Sequence, residues 1–106
     1  MKLLFDECVP GPLRRGFIDH EVFTVDQAGF KGLKNGELLL AASVDFDVIV
    51  SVDKGLEYQH NLNELPIAIL LLSVRSNKLE APLPLIPEAL SALRSISRYE
   101  FIKIEY

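Results

Sequence analysis

The chain has 106 residues, 49% of them hydrophobic and 25% charged, with a formal net charge of −4 and a single cysteine. That length fits one domain burying roughly two-thirds of the surface of the unfolded chain. The aliphatic content excludes a disordered tail, and the lone Cys8 excludes an internal disulfide or a cysteine-built metal cage. The acidic balance weighs against nonspecific nucleic-acid binding, because phosphate contacts need Lys and Arg, although the distribution of charge matters more than its sum.

Taken in chain order, "KLLF" (2 to 5) reads as a first strand. A short helical piece follows at 11 to 17, then a second strand "EVFTV" (21 to 25). "NGELLLAASV" (35 to 44) predicts a helix with Asn35 as its N-cap and Leu38, Leu39, Ala42 and Ala41 on the buried face. "DVIVSV" (47 to 52) is a third strand, followed by a short helical piece around 56 to 63, and "IAILLL" (67 to 72) is a fourth. The first, third and fourth runs are continuously apolar, as expected of parallel strands covered on both faces. "PLIPEALSALRSI" places Ile86, Leu90, Leu93 and Ile96 at helical spacing, with Pro87 tolerated in the first turn. The last run, "EFIKIEY" (100 to 106), alternates Ile102, Ile104 and Tyr106 with Phe101, Lys103 and Glu105, which suits a half-exposed edge.

This alternation predicts a single α/β domain over residues 1 to 106, a three-layer α/β/α sandwich around a mainly parallel five-stranded sheet. The longest apolar run, Ile67 to Leu72, is too short to cross a bilayer, and "MKLLFDEC" carries acids where a secretory signal would be apolar. A cytoplasmic protein without membrane association, folding alone or as a homodimer, is expected.

In such sheets the functional crevice lies beyond the carboxyl ends of the strands, where strand order reverses. Asp6 follows the first strand and Asp53 the third, so a 2-1-3-4-5 order sets them across one crevice. Glu37, in the first turn of a helix, and Glu7, beside Asp6, offer further carboxylates. Two carboxylates brought to about 4 Å cost roughly 4 kcal/mol at an effective dielectric near 20, so a cluster calls for a proton or a cation. A hard divalent ion such as Mg²⁺ or Mn²⁺ takes oxygen ligands and serves phosphodiester displacement. The plain alternative is turn chemistry at Asp6, Glu7 and Asp53, with Glu37 favoured by the helix dipole.

The stretches "LLFDECVPGPL", "HEVFTV", "GFKGLKNGELL", "FDVIVSVDKGLEYQHNL" and "RSNKLEAPLPLIPEAL", in that order over about residues 2 to 95, resemble the short PIN-like proteins of bacteria. The resemblance implies a PIN-type sandwich whose clustered acids bind Mg²⁺ or Mn²⁺ and, in active members, cleave single-stranded RNA. It implies Asp6, Glu37 and Asp53 as the catalytic acids, with Glu7 joining them at the metal. Gly55 and Leu56 stand where the family often has a further acid and a Phe, which favours one strong metal position over two. Many such proteins are encoded as toxins beside an antitoxin, so the resemblance implies an antitoxin protein as a candidate partner, the alternatives being a stand-alone nuclease or an inactive relative.

Gln59, His60 and Asn61 either line the same crevice or cap a short helix. Arg75, Ser76 and Asn77 follow the fourth strand and are candidates for substrate-backbone contacts, with a polar turn as the alternative; Lys34, Asn35 and Lys54 share the substrate-side assignment. His20 lies before a strand, at the opposite end from the acids, and reads as structural. Arg14, Arg15, Lys31, Lys34, Lys54, Arg75 and Lys78 lie in connections leaving strand carboxyl ends, whereas Asp19, Glu21, Asp45, Asp47, Glu64 and Glu100 precede strands. A cationic rim around an acidic centre suits a phosphate chain led to a metal. Phe30 and Tyr58 are candidate base-stacking aromatics or core residues. The expected activity is thus metal-dependent hydrolysis of single-stranded RNA, the alternative a catalytically silent module that binds RNA or a protein partner.

Overall fold

The computed structural model describes residues 1–105; Tyr106 and the side chain of Asn35 lie outside the described set. The strands are β1 (Lys2–Phe5), β2 (Glu21–Thr24), β3 (Val48–Ser51), β4 (Ala68–Ser73) and β5 (Phe101–Glu105). They form one sheet in the order β2-β1-β3-β4-β5, with every neighbouring pair parallel. The order reverses between β1 and β3, which sets the carboxyl ends of those two strands side by side.

Alternate side chains of the apolar strands feed two cores, which is why continuous apolar runs were needed. Leu3, Phe5, Val48, Val50, Leu70 and Leu72 face a layer containing Leu13, Phe17, Ala89 and Leu93. Leu4, Ile49 and Ile69 face Leu38, Leu39, Ala42 and Phe46 on the other side. The first layer is built from a 3-10 helix at Gly11–Gly16 and from α3 (Ile86–Ser95); the second is built from α1 (Asn35–Asp45) and the single turn α2 (Leu56–Gln59). The expected α/β/α sandwich is the observed one. No helix among the described residues is long and apolar enough to cross a membrane.

Two local expectations change. Asn35 is the first residue of α1 and Lys34 occupies the N-cap with extended backbone, φ −135° and ψ 156°. The helical piece expected to 63 ends at Gln59: His60 is already extended at φ −128°, and Asn61 Oδ1 accepts the Asn63 N–H at 3.0 Å in a turn leading to Pro66. A side-chain turn of this kind competes with helix propagation. Pro87 sits within the first turn of α3, where its missing N–H costs nothing.

Candidate functional site

The register of β1 on β3 pairs Phe5 with Val50, and the Asp6 N–H donates to the Val50 carbonyl at 2.9 Å. The ladder therefore runs one step beyond β1 and sets Asp6 beside Ser51. Ser51 is 0% exposed and is the buried polar side chain of the described residues. A buried hydroxyl needs partners, and it has them on both sides. Its Oγ–H donates to Asp6 Oδ2 at 3.0 Å, and its oxygen accepts the Asp53 N–H at 3.0 Å. One hydroxyl thus ties together the two acids that follow β1 and β3.

Each acid is further fixed by its own chain. Asp6 Oδ1 accepts the Glu7 N–H at 2.8 Å. Asp53 Oδ1 accepts the Gly55 N–H at 2.9 Å, and the Asp53 carbonyl accepts the Leu56 N–H at 3.1 Å, which starts α2. Gly55 has ordinary helical backbone, φ −67°, so it is not held by conformation. A Cβ there would lie 3.0 Å from Gln59 Nε2 and 3.1 Å from Asp53 Oδ1, so these two side-chain ends would have to give way by a few tenths of an ångström. The Gln59 amide stands where a side chain at 55 would begin.

Asp6, Glu7, Cys8, Lys34, Asp53 and Gln59 line a cavity of about 350 Å³ whose apolar wall comes from Leu38, Leu39, Ile49 and Leu56. On the far side of Asp6 and Glu7 a second cavity, about 250 Å³, is lined by Thr24, Asp26 and Lys31 as well. Cys8 completes the polar network, with Sγ 3.6 Å from Ser51 Oγ and 3.9 Å from Asp6 Oδ2. Burial pushes its thiol pKa up; hydrogen bonds from the Val52 backbone and Ser51 oppose the shift, and the Asp6 and Asp53 carboxylates add to it. Cys8 therefore carries less thiolate than a free cysteine at the same pH and stands in this network as a weak donor.

The other expected site residues separate into three groups. Glu37 is exposed and does not line the acid cavity. α1 turns Leu38, Leu39 and Ala42 to the sheet, which leaves Glu37 on the solvent side. Among the described residues no three His, Cys, Asp or Glu side chains form a metal-holding group. The expected four-acid cluster is thus drawn here as Asp6, Glu7 and Asp53 around one cavity, with Glu37 outside it.

His60 and Asn61 turn away from Asp53. They line a separate cavity of about 260 Å³ with Gly36, Leu40 and Leu65, because α2 ends at Gln59 and the chain then runs back under α1. Lys54 and Arg75 line a fourth cavity, about 430 Å³, beyond the ends of β4 and β5. Ser76 Oγ accepts the Lys78 N–H at 3.0 Å as a turn residue, and Asn77 is exposed. Asn35 lies outside the described side chains.

Of the aromatics, Phe30 is partly buried against the core, edge-on to Phe46 at 6.1 Å, whereas Tyr58 is 83% exposed. His20 Nδ1 is buried without a partner, and burial with the nearby N-terminal ammonium lowers its pKa.

Ser51 and Cys8 carry the geometry of the site without having been singled out by the sequence. The signal for Ser51 was a lone hydroxyl inside an apolar strand covered on both faces, a position that demands a buried acceptor. No protein-family model, curated protein or solved structure matches the chain, so the likeness to PIN-like proteins stands on the quoted motifs.

Proposed function

We infer that the cavity between Asp6 and Asp53 binds a hard divalent cation, Mg²⁺ or Mn²⁺, and hydrolyses phosphodiesters of single-stranded RNA. The observation that carries this reading is the Asp6–Ser51–Asp53 bridge, in which Ser51 Oγ donates to the Asp6 carboxylate and accepts the Asp53 backbone N–H, beside a cavity at the strand-order reversal that both acids line. The donor set fits such an ion: Mg²⁺ keeps several waters and is usually held by one or two carboxylates together with substrate phosphate. Asp6 and Asp53 would hold it, with the exposed Glu7 adjoining them. When bound, it supplies a hydroxide at neutral pH and charge stabilisation for in-line displacement.

The chain's own groups do the rest. Ser51 and the Glu7 N–H each donate to one oxygen of Asp6, so that carboxylate keeps one orientation. The Gly55 N–H holds Asp53 in the same way. Lys34 places a cation on the cavity wall for a substrate phosphate, and the Gln59 amide is positioned to orient water or a phosphate oxygen. The apolar wall of Leu38, Leu39 and Leu56 lowers the local dielectric and strengthens each of these contacts.

The test is cleavage of a single-stranded oligoribonucleotide by the purified protein with Mn²⁺. Asp6→Asn should lower the rate by about 10²- to 10³-fold, the cost of losing one preorganised electrostatic group, with its circular dichroism spectrum unchanged. Equal cutting by the variant, or by wild type in EDTA, contradicts the reading.

One observation favours a second reading, a silent module that binds RNA or a protein partner through this rim. No three-acid group forms among the described residues. Folded protein that binds single-stranded RNA and never cleaves it with either ion would establish that reading in place of the first.

A further inference from the structure

The widest of the cavities described lies beside the acid site. At about 430 Å³, it is lined by Lys54, Ser73, Val74, Arg75, Glu80, Ala81, Pro84 and Glu105, where β4 and β5 end. Four charges face this one space, two of each sign. Among the described residues the ion pairs within 4.0 Å are those of Lys103 with Glu57 and with Glu105, so neither Lys54 nor Arg75 is neutralised by a carboxylate across the cavity. Among the described residues Lys54, Arg75 and Glu80 share the cavity without an ion-pair partner, while Glu105 pairs with Lys103 at 3.5 Å, so the unpaired groups are set for a ligand that carries both an anion and N–H donors.

We propose that this cavity binds one nucleotide of an RNA chain, with its phosphate on Lys54 and Arg75 and the donor edge of its base on Glu80 or Glu105. The inference rests on the nuclease reading for its choice of ligand. The chain supplies the connection: Lys54 is the residue after Asp53, so the acid cavity and this one meet at a single peptide bond. A strand whose scissile phosphate lies at Asp53 passes over Lys54 into the neighbouring space. There Val74, Ala81 and Pro84 offer an apolar surface to a base, Ser73 offers a hydroxyl, and Arg75 a planar fork for phosphate.

The carboxylates give the pocket a preference. An ionised Glu only accepts hydrogen bonds, so it selects a base edge that presents adjacent donors. Guanine presents N1–H and the N2 amino group side by side; cytosine and adenine present one amino group, and uracil a single ring N–H. A good bidentate base contact discriminates by about tenfold or more. The guanosine nucleotide is therefore the expected occupant and the uridine nucleotide the weakest.

Calorimetric titration of the metal-free protein with the four nucleoside 5′-monophosphates, and with inorganic phosphate, tests this directly. The expected result is binding of 5′-GMP about tenfold tighter than 5′-UMP, loss of about tenfold on Arg75→Ala, and collapse of the base preference in the double variant Glu80→Gln, Glu105→Gln. Amide shifts in the NMR spectrum should fall on Ser73 to Arg75 and on Ala81. No binding by any of the four, binding no tighter than phosphate alone, or binding indifferent to these variants overturns the proposal. Its failure is separable from failure of the nuclease reading. Cleavage that needs Asp6 but shows no guanosine preference, unchanged in the double variant, rejects this pocket and leaves the acid site. Guanosine-selective binding without any cleavage rejects the nuclease reading and leaves a nucleotide-binding cavity.

Discussion

Replacing Ser51 by Ala removes a single oxygen, yet Asp6, the Asp53 N–H and Cys8 all contact that oxygen. Ser51 is 0% exposed, its hydroxyl donates to Asp6 at 3.0 Å, and it accepts the Asp53 N–H at 3.0 Å. A hydrogen bond to a charged group contributes about 1.5–3 kcal/mol, and a buried donor left without a partner costs about 1–3 kcal/mol. Asp53 is exposed and Asp6 is half-buried, so water replaces part of both bonds. The expected loss is therefore about 1–3 kcal/mol of unfolding free energy. For a domain of this size each kcal/mol lowers Tm by about 4–8 °C. Urea unfolding followed by circular dichroism, with the slope unchanged, measures it. Loss of the bridge should also weaken Mn²⁺ binding by about 10- to 100-fold, as removal of a group that orients a ligand does. A loss under about 0.5 kcal/mol, the range of an ordinary surface change, would refute the assigned bridge.

Other consequences are as direct. The Cys8 thiol is pushed up first by burial, so its alkylation by iodoacetamide should begin at more alkaline pH than that of a free thiol, because only the thiolate reacts. Asp6→Asn removes a negative charge that raises it, so the variant should react at lower pH than wild type; an unmoved profile would mean that Asp6 and Cys8 are not neighbours. Gly16→Ala places a Cβ 3.0–3.1 Å from three side-chain carbons of Ile86 and should cost about 1–3 kcal/mol by urea unfolding, whereas no change would mean that the 3-10 helix does not pack there. Glu37→Gln, exposed and off the acid cavity, should leave RNA cleavage within about twofold of wild type. A loss as large as that of Asp6→Asn would return Glu37 to the metal.

The fold was legible because "KLLF", "DVIVSV" and "IAILLL" are too apolar for any strands but those covered on both faces, and crossovers between parallel strands need the intervening helices. Asp6 and Asp53 were legible for the same reason: each is the first acid beyond such a run. Lys34 and Gln59 also reached the acid cavity. What could not be read was direction. Which way α1 rolls on the sheet decides whether Glu37 or Lys34 meets the cavity, and the packing of Leu38, Leu39 and Ala42 chooses Lys34. The end of α2 was set by the Asn61 turn, which sent His60 and Asn61 to another cavity. The cationic rim divided likewise, since Lys34 serves one cavity while Lys54 and Arg75 serve the next.

The claim that Asp6 and Asp53 together hold a cation is tested most directly by titrating substoichiometric Mn²⁺ into ¹⁵N-labelled protein and recording which amide signals its unpaired electrons broaden. The account predicts that Asp6, Glu7 and Asp53 to Gly55 broaden first, and that Asp6→Asn abolishes the effect while the fold is kept. Broadening centred elsewhere, at Asp45 and Asp47 for example, or none at all in the folded wild type, would contradict it.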